Sequence, residues 1–453
     1  MRVEATIFRK ELLESVVSFR FVIGSVLLIV SAVICSYVRF HDYHQRLKNY
    51  HLTLATQETF LEKYAHVNRL GPIFRPYVPP KRMSLLLGEL APHPAVFSEP
   101  RQLIDDNPAE LLQPYFDFQS LVGILVSLLA IVLAYDVISG ERERGMLALM
   151  RSNSISIARI VIEKWLAGNL LALLPLALAV ILTSIYIRLD SRVSWTAEDW
   201  IAWVIIAVVY AIYLSVFFTT GLLTSCVVKR SSVSIVTLSL LWVLLVIFIP
   251  SLSPHLSKAI KPVQPPEVVT RELERIEQER QAVARARTNE LLGKGLSLGQ
   301  IWASGEIEAV NKRYEEKAAR VKQDFERQLA NQRKLTRWIS SLSPTFCMIQ
   351  ATSELAGIGV SGADHLSRAI SEWRHMKDEA VERKVQKLRE VNPHFGWDDP
   401  IDVSDVPRFV YKEQPLSSRW GAAVNYSALL VLYEIGLLVF TLLLSRRIDV
   451  RPD

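Results

Sequence analysis

The stretch Tyr135-Asp-Val-Ile-Ser-Gly-Glu-Arg-Glu-Arg-Gly-Met-Leu-Ala-Leu-Met-Arg151, continuing to Lys164, is densely charged yet lies between two apolar runs. Leu121 to Ala134 before it carries no charge, and Trp165 to Ile187 after it is equally apolar. Hydrocarbon offers no partners to polar groups, so a segment of this kind between two runs of spanning length reads as an aqueous loop. Arg142, Arg144, Arg151, Arg159 and Lys164 place the loop in the cytoplasm by the positive-inside rule.

Outward from this loop, the chain alternates membrane-length runs with polar segments. Half of its residues are hydrophobic and 22% are charged, with a mean hydropathy of +0.22. That combination fits membrane spans joined to sizeable water-exposed regions. A net charge of +6 over 453 residues gives no support to a nucleic-acid partner. Cys35, Cys226 and Cys347 are far apart and without metal-binding spacing, so neither a disulfide framework nor a zinc site follows.

The expected fold is an all-α polytopic membrane protein with six transmembrane helices, at 21–38, 118–135, 165–187, 201–226, 233–249 and 425–444. Residues 1–20 read as an interfacial helix, with Val3, Ile7, Leu12, Val16 and Phe19 near helical spacing. Pro175 predicts a kink in the third span, and Trp195, Trp200 and Trp203 suit an interfacial belt. Six spans put both termini in the cytoplasm of a bacterial inner-membrane protein. Lys229-Arg230, Arg446, Arg447 and Arg451 then all fall on the inside.

Two extracytoplasmic inserts are expected, at 39–117 and 251–419. The first is helical in pattern to about Leu70 and proline-rich beyond it. The second places Val269, Leu273, Ile276, Val283 and Leu291 close to heptad spacing, and Ile307, Val310, Tyr314, Val321 and Phe325 likewise. Gly293, Gly295 and Gly299 separate these runs, so an antiparallel hairpin is predicted, with arms of roughly 40–50 Å. It serves either as a partner-binding arm or as a self-packed bundle. Residues 342–357 are more apolar and are expected at the membrane surface, followed by a helix from His365 to Val391.

Catalytic motifs are missing from the sequence. Gly293-Lys294-Gly295 lacks the spacing that wraps phosphates, so this chain alone is not expected to hydrolyse ATP. His41 and His44 lie one turn apart, but no carboxylate or Cys set accompanies them at matching spacing, so they read as polar residues facing water on the outer side and no metal is expected. Glu434 lies near the middle of the sixth span, where a lone charge is costly. It marks either a functional polar site or an interhelical hydrogen bond to Tyr or Thr groups.

Ser139-Gly140-Glu141-Arg142-Glu143-Arg144-Gly145-Met146-Leu147, with the helical stretch through Lys164, resembles the coupling region of ABC transporter permeases of the type-2 exporter class. Their pattern is Gly-Glu, a few residues, Gly-Thr-Leu, a helix, then a Lys opening the next span; Met146 stands here in place of Thr. Ser343-Pro344 and Leu355-Ala356-Gly357 are similar to elements of a bacterial subgroup with large outer inserts. The resemblance implies an exporter permease driven by a separate ABC ATPase subunit, which carries the ATP-Mg; no cofactor binds this chain directly. A second permease chain, identical or a sister, would complete the dimer within membrane lipid. The ATPase would be contacted through Gly140 to Leu147 and Met150, with Met146, Leu147, Leu149 and Met150 as an apolar contact face. The competing reading is a mechanotransmitter that relays ATPase motion to an envelope partner at the outer hairpin.

Overall fold

The structure is a computed structural model that describes residues 16, 18–64, 66, 74–88, 117–147, 149, 156–190, 192–296, 301, 305–392, 395 and 399–446. Most of the expected interfacial helix, much of the proline-rich part of the first insert, and Met150 and Arg151 lie outside these residues. The described residues are helical almost throughout, and their one β-bridge joins His66 to Pro400. Six helices are long and apolar enough to cross a membrane: Phe19–Glu62, Phe118–Glu143, Ile157–Leu189, Ala197–Val227, Ser231–Ile260 and Leu416–Ser445.

In chain order, α1 (Phe19–Tyr64) is a single helix that continues past its apolar segment into the polar region beyond. The second span opens with α2 (Phe118–Leu121), passes through a π-helical turn at Val122–Val126 and continues as α3 (Ser127–Ala134). The charged loop contains α4 (Ser139–Glu143). Then follow α5 (Ile157–Leu189) and α6 (Ala197–Val227). The fifth span is α7 (Ser231–Trp242), a second π-helical stretch at Val243–Phe248, and α8 (Ile249–Ile260). The remaining helices are α9 (Pro266–Gly293), α10 (Glu306–Ser340), α11 (Pro344–Leu355), α12 (Val360–Val391) and α13 (Leu416–Ser445).

The chain divides into two compact units, Met1–Val246 with Pro344–Asp453, and Ile247–Ser343. In the first, α6 is the central strut, with Trp203, Tyr210, Tyr213, Phe217 and Phe218 all buried. Its neighbours approach closely where side chains are small. A Cβ on Gly168 of α5 would fall 2.0 Å from the Phe218 ring. The start of α6 is fixed by a reciprocal cap, in which Thr196 accepts from the Asp199 N–H and Asp199 accepts from the Thr196 N–H.

Residues 344–355, expected from their apolar character at the membrane surface, are packed inside the helical bundle. As α11 they are buried against α6 and α13, with Cys347, Met348, Ala351 and Leu355 excluded from solvent. Thr345 reaches the Tyr213 hydroxyl at 3.0 Å, and Tyr213 donates to the Gly123 carbonyl at 2.8 Å. Ala, Thr and Ser side chains on α11 present little bulk, and each hydroxyl finds a partner, which is what lets a mildly apolar helix enter the bundle. Its exit turn is equally tight. Gly357 is left-handed (φ +70°), its carbonyl accepts from Lys81, and Glu354 accepts the Val360 and Ser361 N–H groups at the start of α12.

A smaller apolar cluster gathers Leu61 of α1, Phe74, Trp373 of α12, and Ile401, Val403 and Val406. Trp373 stacks on Phe74 at 5.9 Å and donates Nε1–H to the Pro407 carbonyl at 2.9 Å.

In the second unit α9 and α10 pack as an antiparallel hairpin. Arg280 to Asn311 (2.7 Å), Lys317 to Glu279 (2.9 Å) and Arg287 to Glu306 (2.5 Å) fix its register. These pairs are largely exposed, so solvent screens them and they set register more than they stabilise. The apolar seam of Val269, Ile276, Leu291 and Ile307 does more.

Trp373→Ala is expected to cost about 3–5 kcal/mol within its cluster. The check is limited proteolysis in detergent: cleavage between 399 and 415 should accelerate while the six-span core persists.

Candidate functional site

The charged loop is bolted to the ends of the surrounding helices. α4 is one turn long and cannot stand by its own hydrogen bonds. Its N-terminal amides are satisfied from α6: Ser225 Oγ accepts the N–H groups of Ile138 and Ser139, both at 2.9 Å. The four charged side chains from Glu141 to Arg144 then divide by direction.

Glu141 and Arg142 turn inward. Glu141 Oε1 meets Lys164 Nζ of α5 at 2.9 Å, with the two side chains 8% and 2% exposed. Arg142 donates to the carbonyls of Cys226 (3.0 Å) and Val228 (3.2 Å), at the C-terminal end of α6. These are carbonyls that no helix turn can satisfy, and a cation at a helix C-terminus is also favoured by the helix dipole.

Glu143 and Arg144 are exposed. Glu143 accepts from the Ser231 N–H (2.8 Å) and hydroxyl (3.0 Å), and so caps the N-terminus of α7. Arg144 folds back on the Gly140 carbonyl at 3.0 Å. Gly145 ends the turn in the left-handed region (φ +71°), where a side chain would be strained. Upstream, Asp136 pairs with Arg20 of α1 at 2.8 Å, and the Tyr135 carbonyl accepts from Ser234 of α7 at 2.7 Å. The loop therefore ties together the near ends of α1, α3, α5, α6 and α7.

Beyond Gly145 the expected apolar contact face splits. Leu147 is fully buried, packed with Ile138, Ile157, Ile160, Val161, Leu222 and Cys226. It is core, and no partner can reach it in this conformation. Met146 is half-buried, Leu149 is 60% exposed, and Met150 lies outside the described residues. The inward turn of Glu141, Arg142 and Leu147 takes them out of the contact expected over Gly140 to Leu147, and Leu147 out of its apolar face. The physical reason is that a five-residue helix has too few internal bonds and borrows its stability from the span ends. Lys164, Ser225 and Ser231, which complete the site, were not assigned contacts from the sequence. A charged or hydroxyl residue at each span boundary was the available signal.

Glu434 of α13 sits apart from the loop. Its Oε1 accepts from Thr219 (2.8 Å), Ser215 (2.9 Å) and Trp165 Nε1 (3.2 Å), and Trp165 also donates to Thr219 at 2.8 Å. The interhelical hydrogen bond left open by the sequence is thus present, joining α5, α6 and α13 through Ser, Thr and Trp donors.

A family model described as ABC-2 family transporter protein matches residues 5–441. The chain belongs to that family. It is thus a membrane permease component of an ABC transporter, distinct from the ATP-binding subunit, and its family implies an ABC ATPase partner. No curated relative matches the chain. The span bundle and the interlocked loop are accordingly parts of an ABC-2 permease.

The buried ion pair gives a direct test. Lys164→Met or Glu141→Leu alone should destabilise by about 3–5 kcal/mol, because each leaves a buried charge unpaired, whereas the double substitution should recover most of the loss. Apparent unfolding midpoints in detergent for the four proteins measure the coupling.

Proposed function

We propose that this ABC-2 permease couples ATP hydrolysis on a separate subunit to export of a substrate from the cytoplasm, with the 135–164 loop on the cytoplasmic side as its receiver. The observation that carries this reading is the interlocking of the loop with five helix ends. A push on α4 is transmitted to α5 through Glu141–Lys164, to α6 through Arg142 and Ser225, and to α7 through Glu143. Packed, hydrogen-bonded elements move as bodies, so the loop converts a local contact into a shift of several spans. Buried Glu141, Arg142 and Leu147 hold the loop's shape. The exposed Glu143, Arg144 and Leu149, flanked by half-buried Met146, meet the ATPase. A second permease chain, identical or a sister, completes the path, and the concentration of basic residues at the loop end supports termini in the cytoplasm of a bacterial inner membrane.

The α9–α10 hairpin supports a second reading, in which motion is passed to an envelope partner and no substrate is moved. Trp338, at 71% exposure on α10, is a large aromatic group available for such a contact.

The deciding experiment is purification of the tagged permease with its ATPase from native membranes. Leu149→Asp and Glu143→Lys should each lower permease-stimulated ATP turnover at least five-fold while the chain still elutes as folded protein. Unchanged turnover with both substitutions rejects the loop as receiver. Stimulation by an envelope protein alone, with no response to any candidate cargo, favours the transmitter.

A further inference from the structure

α1 and α5 run side by side in the same direction. Arg20 and Lys164, near their starts, both belong to the loop site, and Ser36 and Thr183 meet at 3.2 Å further along. At the far end from the loop a cleft of about 430 Å³ lies between them, lined by Tyr37, Phe40, His44, Tyr186, Asp190 and Arg192 among others. Phe40 is buried and packs edge-on against Tyr186 at 4.5 Å, which gives the cleft an aromatic floor.

Its polar wall is built around one carboxylate. Asp190 Oδ2 lies 2.8 Å from His44 Nε2, and Oδ1 accepts the Arg192 N–H at 2.9 Å. Both oxygens are thus committed to holding the wall in shape. The Arg192 guanidinium and the His41 ring, which also lines the cleft, have no ion-pair or hydrogen-bond partner among the described residues. The Arg192 guanidinium and the His41 ring therefore bring uncommitted donors to the cleft, beside a carboxylate whose two oxygens are already occupied, and those donors suit an anion.

The surface leading from the cleft is apolar. Ile34 and Tyr37 on α1, and Ile181, Ile185 and Leu189 on α5, are all half or more exposed. Their spacing of three or four residues sets each group in a stripe along its helix, running from the cleft towards the loop end. Tyrosines at the end of a membrane span sit at headgroup depth. An anion-selecting pocket at that depth, continuous with an apolar stripe, matches a molecule with a phosphate head and hydrocarbon tails.

We propose that this cleft binds the phosphate headgroup of a glycerophospholipid, with Arg192 and His41 on the phosphate, Tyr37 and Tyr186 beside the glycerol, and the acyl chains along the stripe. His44 is a positioning residue, oriented by Asp190. The assignment stands whether or not the loop receives an ATPase, because none of its groups belongs to that site.

The test uses the full chain in a non-ionic detergent, with lipid retention measured by native mass spectrometry. Dioleoylphosphatidylglycerol should bind at least ten-fold more tightly than dioleoylglycerol, which has the tails and lacks the phosphate. Arg192→Glu should weaken the phospholipid about ten-fold and His41→Ala several-fold, while Arg271→Glu on α9 leaves it unchanged. Equal affinity for the two lipids overturns the proposal. So does wild-type affinity in Arg192→Glu with normal elution and circular dichroism; should that variant misfold, Arg192→Gln makes the same comparison. Displacement by inorganic phosphate at the concentration of lipid makes the cleft a free-anion site and overturns the lipid assignment.

Discussion

The Glu141–Lys164 pair is the interaction on which the loop end of the bundle depends. Two charges are held almost without solvent, at a place where an unpaired ion would cost several kcal/mol. Such a pair is a poor source of net stability but a strict requirement on geometry: α4 must lie where Lys164 can reach it. Once it does, Arg142 falls on the open carbonyls of α6, and Glu143 falls on the open amide of Ser231. Each contact satisfies a helix terminus that has no further turn to bond with, so the constraint spreads from one pair to several spans.

The opposite end of the bundle solves the same problem with another set of residues. Asp199, fully buried, caps α6 and is approached by Arg82 at 3.2 Å and Arg419 at 3.8 Å. Both arginines also reach Glu413, and Lys81 donates to the Gly357 carbonyl. Here the segments that leave the bundle are gathered onto the starts of α6 and α13. Desolvation of Arg82 by burial would lower its pKa, yet the Glu413 hydrogen bond and the nearby Asp199 charge leave it raised, so the guanidinium stays charged. Between the two ends, the described polar contacts are few, among them Glu434 with its Ser, Thr and Trp donors, and the middle of the bundle rests on packing, with α6 at its centre.

The loop's described residues divide into an inward set, Glu141, Arg142 and Leu147, and an exposed set, Glu143, Arg144 and Leu149. Its described amides, carbonyls and charges find their partners on the ends of five helices. The same economy explains α11, which enters the bundle because its Thr and Ser groups find Tyr213 and Gln119 as partners.

The sequence by itself determined the class of the molecule: six apolar runs of spanning length, the charged loop between two of them, and the heptad runs of α9 and α10. These features are legible because membrane length and helical period are properties of a single segment. It also pointed to the loop, through charge where hydrocarbon forbids it. What it did not determine is which way each side chain in the loop turns. Glu141 and Glu143 are two residues apart and alike in type, yet one is buried on Lys164 and the other caps α7; Leu147 and Leu149 divide in the same way. That choice depends on where the ends of α5, α6 and α7 lie in space, and so does the cleft beside His44 and Asp190, whose residues come from helices far apart in the chain. Partners brought together by packing leave no local period or spacing to read, and only the tertiary structure decides them.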